Sequence, residues 1–129
     1  MRRLGPPLLG ILLAVITGVA AALLGRPRGP ELLAAILVAA AAVYPGAALA
    51  LGERGTIALE SVLFLVFTAV ALLGLWYSLT LPAVGYFAHG GWDLLHHPHR
   101  AGARAGKFFP PFCLVYDVLV GLLILGLYR

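Results

Sequence analysis

The chain of 129 residues holds one cysteine, Cys113, four histidines and only 11% charged residues. One cysteine excludes an intrachain disulfide, a Cys-x-x-Cys redox pair and a four-thiolate zinc site. Four histidines fall well short of the histidine-rich di-iron centres of membrane desaturases and hydroxylases. All four lie on one segment or its trailing loop, so a haem held between histidines on opposite faces cannot form within one chain. There is no zinc-protease His-Glu-x-x-His, no internal repeat, and no stretch of soluble composition that could fold as a domain beside the rest.

What is present is apolar. Hydrophobic residues make up 62% of the chain and the mean hydropathy is +1.01, which no water-soluble fold sustains. The formal charge is +4, and its lysines and arginines lie at segment borders, where they orient membrane proteins and meet lipid headgroups. Membrane lipids are therefore the expected partners, and nucleic acid is not.

Five apolar segments separate at charged or proline-bearing borders, over residues 6–24, 31–51, 56–78, 82–97 and 111–128. They predict an all-α, polytopic transmembrane bundle forming a single domain over residues 1–129. The fourth segment covers only about 24 Å, so four spans plus a re-entrant or interfacial helix is the alternative. Arg2-Arg3, an apolar run and Ala20-Ala21-Ala22 resemble a signal peptide, but the run is long enough to span and reads as a retained helix. With five spans, Arg2, Arg3, Arg54, Arg100, Arg104 and Lys107 share one side against Arg26, Arg28 and Arg129. That places the N-terminus in the cytoplasm and the chain in a cell membrane, a bacterial inner membrane being expected. Trp76, Tyr77 and Tyr128 fall at the outer interface. Tyr44-Pro45-Gly46 predicts a kink, and the stripe Ala42, Gly46, Ala50 predicts close helix packing.

Ionisable groups inside such segments are costly and mark function. In His89-Gly-Gly-Trp-Asp-Leu-Leu-His-His97, residues His89, Asp93, His96 and His97 share an arc of about 100° on a helix. Cys113, Tyr116 and Asp117 share another face. Counted from the segment ends, Glu60, Asp93, His89, Asp117 and Tyr44 lie in the same half of the membrane. Imidazole with carboxylate suits zinc, iron or manganese. The candidate ligands are His89, Asp93, His96, His97 and Asp117, with Glu60 and Asp117 as candidate catalytic proton shuttles. Cys113 reads as a packing residue, with a metal thiolate as its alternative role. The competing reading is structural: interfacial histidines and helix–helix hydrogen bonds.

The Trp-Asp-x-x-His-His pattern of residues 92–97, followed by Pro-Phe-Cys-x-x-Tyr-Asp at 111–117, resembles an uncharacterised family of small bacterial multi-pass membrane proteins. The resemblance implies the architecture and carries no activity. Two functional classes stand on the residues. One is a metal-dependent enzyme acting on a lipid or other apolar small molecule. The other is a small transporter, channel or membrane-complex subunit, with a homo-oligomer among its forms, that uses the same groups to relay protons or cations.

Overall fold

A computed structural model of the chain describes residues 5–96 and 106–128. Among the described residues there are five helices: α1 (Pro6–Leu24), α2 (Arg28–Leu51), α3 (Arg54–Trp76), α4 (Thr80–His96) and α5 (Phe109–Leu127). Their ends follow local chemistry. Prolines open α1 and α5, where a missing N–H costs nothing. Gly52 closes α2 in the left-handed conformation that other residues resist. α2 runs on through Pro45, the position at which the sequence predicts a kink, and ends at Leu51 as the segment border does.

The packing directions alternate along the chain. Contacts from α3 to α4 run from Gly74 beside Pro82, through Val70 beside Gly85 and Phe67 beside His89, to Glu60 beside His96. Partner numbers fall on α3 as they rise on α4, so the two are antiparallel over about 21 Å. α5 is antiparallel to α4, with Gly121 near Phe87 and Asp117 on His89. α1 and α5 are parallel, as Thr17 meets Tyr116 and Ala21 meets Tyr128. α2 and α4 are parallel too: the Tyr86 hydroxyl donates to the Leu33 carbonyl, and Tyr44 reaches Asp93.

The burial pattern is that of a lipid-solvated bundle. Leu23, Leu65 and Ile16 are more than 60% exposed, whereas Glu60, His89, Asp93 and Asp117 are at most 1% exposed. In water this arrangement would be inverted. Four helices among the described residues are long and apolar enough to cross a membrane: α1, α2, α3 and α5. α4 has 17 residues and the greatest concentration of buried polar groups. It lies against α2, α3 and α5, which surround its polar face.

α1 buries only small side chains, Gly10, Ala14, Thr17, Gly18 and Ala21, and so approaches α5 closely. A Cβ at Gly10 would fall 2.6 Å from the Phe112 carbonyl oxygen. The stripe expected to pack, Ala42, Gly46 and Ala50, is instead exposed, and α2 turns Leu37, Ala41, Tyr44 and Ala48 inward. Gly10→Leu should therefore destabilise the bundle by about 1–3 kcal/mol. Gly46→Ala, with nothing within 4 Å of its added methyl, should leave stability unchanged or slightly raised. Unfolding of both variants in mixed micelles checks the contrast.

Candidate metal centre

The polar side chains of four helices meet in two adjoining groups. The first joins α4 to α5. His89 Nδ1 lies 2.5 Å from Asp117 Oδ2 and 3.5 Å from Asp93 Oδ2. Cys113 Sγ, one helical turn before Asp117, lies 3.6 Å from the same Asp117 oxygen and 4.0 Å from His89 Nδ1. One donor atom from each of His89, Asp93, Cys113 and Asp117 lies within 4.8 Å of all the others, and all four residues are buried. Gly90 packs beside the Asp117 side chain, where a Cβ would meet the Asp117 Cβ at 3.5 Å, in ordinary van der Waals contact.

This group has more acceptors than donors. The Tyr44 hydroxyl donates to Asp93 Oδ1, and the thiol donates to Asp117 Oδ2. Asp93 Oδ2, Asp117 Oδ1 and His89 Nε2 are buried without a hydrogen-bond partner. Such atoms are rare in folded proteins because leaving them unsatisfied is expensive. A cation satisfies carboxylate oxygens that have no donor. Around a tetrahedral ion with nitrogen, oxygen and sulfur ligands the donor atoms stand about 3.3–3.8 Å apart. The His89–Asp93 and Cys113–Asp117 distances match that spacing, whereas the His89 Nδ1–Asp117 Oδ2 pair, at 2.5 Å, has to open for both atoms to reach one ion.

The second group joins α4 to α3. His96 Nε2 lies 3.2 Å from Glu60 Oε1, and the Trp92 indole donates to Glu60 Oε2 at 3.3 Å. Tyr44 stands between the groups. Its ring stacks on His96 with centroids 3.7 Å apart, and meets Phe109 edge-on. Phe67 meets the His89 ring edge-on on the α3 side.

The structure thus brings together His89, Asp93 and Asp117 of the expected ligand set. His96 is turned to Glu60 instead, because seven residues separate it from His89 and carry it about 10.5 Å along the helix. Glu60 accordingly lies with His96 and Trp92, in the second group. His97 lies outside the described residues. Two participants lay outside the expected ligand set. Cys113 read chiefly as packing, although its i, i+4 relation to Asp117 was the available signal. Tyr44 read as sharing the membrane half of Asp93, but nothing local tied the two directly across 49 positions.

Fold and site together define a small helical membrane protein with a buried His/Asp/Cys cluster. Residues 6–127 match the family of unknown function DUF6010, and the chain belongs to that family. The match runs from the first residue of α1 to the last of α5, so the whole bundle is the family's common unit. Comparison with curated proteins and with solved structures finds no match.

Proposed function

We propose that this chain is a metal-binding protein of the cell membrane, whose centre of His89, Asp93, Cys113 and Asp117 holds one transition-metal ion between α4 and α5. The observation that carries the reading is the convergence of four candidate ligands of three types, His, Cys and Asp, on one buried point beside orphaned carboxylate oxygens. A divalent ion offsets two of the three negative charges that the carboxylates and the thiolate bring, and charge in an apolar interior is tolerated with such pairing. The thiolate favours zinc or iron over manganese, which prefers oxygen.

Four protein donors complete a tetrahedral shell, whereas catalytic zinc keeps a position for water. Together with the burial of every donor, this favours cation handling in a transporter or membrane-complex subunit over an enzyme that activates water against a lipid. Elemental analysis of the detergent-purified protein tests the reading. About one zinc or iron per chain is expected, and metal at background level after growth in metal-supplemented medium would overturn it.

The same reading includes a topology of five crossings with the N-terminus cytoplasmic. It is supported by α4 accompanying α3 over most of its length and by the alternating directions of the helices. Arg26, Trp76, Tyr77 and Tyr128 line one cavity of about 520 Å³, which suits the outer interface with its aromatic belt. Reporters fused after residue 129 and within residues 98–107 should then report opposite sides, with the second cytoplasmic. Finding both on one side would contradict five crossings.

A further inference from the structure

The cavity at the α1–α2 and α3–α4 turns has no part in the metal centre, since the first residue of α4 is about 14 Å along that helix from His89. It measures about 520 Å³ and is lined by Arg26, Glu31, Trp76, Tyr77 and Tyr128 among others. That is the size of a small-ligand site. Its two charges are opposite, yet among the described residues no ion pair or hydrogen bond joins Arg26 to Glu31. Arg26 is held against α5 instead. Its guanidinium lies over the Tyr128 ring, 5.4 Å from the centroid, and the Tyr128 hydroxyl donates to the Ala21 carbonyl at 3.4 Å. Gly29 allows that seat, because a Cβ there would run into the Tyr128 hydroxyl. Glu31 stands exposed in the first turn of α2. A carboxylate there also complements the helix dipole, but that role requires neither a cation nor aromatic rings in the same cavity. The rings of Trp76 and Tyr77 are 72% and 79% exposed.

We propose that this cavity binds the headgroup of a zwitterionic phospholipid with a primary amine, of the phosphoethanolamine class. The phosphodiester takes the Arg26 guanidinium, whose fork of donors suits phosphate oxygens. The ammonium donates to the Glu31 carboxylate and lies against the Trp76 and Tyr77 rings, whose faces attract a cation. A quaternary ammonium has no N–H for Glu31. A headgroup with no cation brings its phosphate beside Glu31 uncompensated. The cavity therefore selects for the amine. A lipid fits better than a soluble zwitterion, because the helix surfaces leading to the cavity expose Leu23, Leu24, Leu72 and Leu73, against which acyl chains can lie. Interfacial Trp and Tyr sit at headgroup level for the same reason. The inference rests on the bundle lying in a membrane and not on any bound ion.

Native mass spectrometry tests it, with the detergent-purified protein offered equal amounts of phosphatidylethanolamine, phosphatidylcholine and phosphatidylglycerol of the same acyl chains. Phosphatidylethanolamine should bind at least about threefold more tightly than either of the others, the scale of one exposed charge pair with a cation–π contact. Glu31→Gln should lower it to the level of phosphatidylcholine and leave phosphatidylcholine unchanged. Arg26→Gln should weaken all three lipids. Both side chains are exposed, so both variants should fold, and Glu31→Gln alone decides the question if Arg26→Gln does not. Equal binding of the three lipids by the parent, a preference for phosphatidylglycerol, or a parental preference that survives Glu31→Gln would overturn the inference. So would lipid binding untouched by Arg26→Gln. Glycerophosphoethanolamine, the same headgroup without acyl chains, should fail to displace the bound lipid at equal concentration. Displacement would assign the cavity to a soluble zwitterion and overturn the lipid assignment. Metal content should equal the parent's in both variants, so the outcome here is independent of the metal reading.

Discussion

Replacing His89 or Asp117 by alanine is expected to empty the metal centre while the protein still inserts and folds. Each supplies a donor from the middle of a helix, and alanine is the best helix former. Loss of a mere supporting contact around a metal costs about 10–100-fold in affinity, and loss of a ligand should cost more. Metal bound per chain should therefore fall at least tenfold in His89→Ala, Asp93→Ala and Asp117→Ala. His96→Gln and Glu60→Gln are the informative partners, because those residues join each other 3.2 Å apart and lie outside the ligand cluster. Both should retain parental metal content. If all five variants match the parent, the metal reading fails. If His96→Gln loses metal as fully as His89→Ala, the ligand set is wrong.

The largest effect on stability is expected at Tyr44. Its side chain is 1% exposed, stacks on His96, meets Phe109 edge-on and donates to Asp93. Tyr44→Ala removes a large ring where four helices converge, a change that costs about 3–5 kcal/mol in well-packed cores. Tyr44→Phe keeps the ring and removes only the donor to Asp93, and hydrogen bonds in membrane interiors are worth about 1 kcal/mol. Unfolding in mixed micelles should separate the two variants by at least twofold in lost free energy. Equal losses would mean that the hydroxyl, and not the packing, holds the groups together.

The positions of the helices were legible because hydropathy and charged borders write them directly. α1 begins and ends at the segment borders, and α2 differs in starting at Arg28 instead of Glu31. Which face of each helix turns inward was far less legible. In water an apolar face marks the core, but here lipid and core are both apolar, so Ala42, Gly46 and Ala50 looked like a packing stripe although α2 buries Tyr44 and Ala48. Polar residues escape this degeneracy, because burying them away from lipid is the cheaper choice. Hence His89, Asp93 and Asp117 could be grouped from the sequence. Dividing them from His96 and Glu60 required the pairing of α3 with α4, which fixes Glu60 against the last turn of α4 and Phe67 against His89. Cys113 was underweighted for a related reason: a lone thiol in an apolar helix has no local signature, and only α4 beside it supplies the imidazole.

X-ray absorption at the metal edge of the purified protein tests the central claim most directly, since it reads the donors themselves. The His89–Asp93–Cys113–Asp117 centre should give one sulfur scatterer at about 2.3 Å and nitrogen or oxygen scatterers at about 2.0–2.2 Å if the ion is zinc. The sulfur contribution should vanish in Cys113→Ser. A first shell of nitrogen and oxygen only in the parent protein, or a sulfur signal that survives Cys113→Ser, would contradict the assignment.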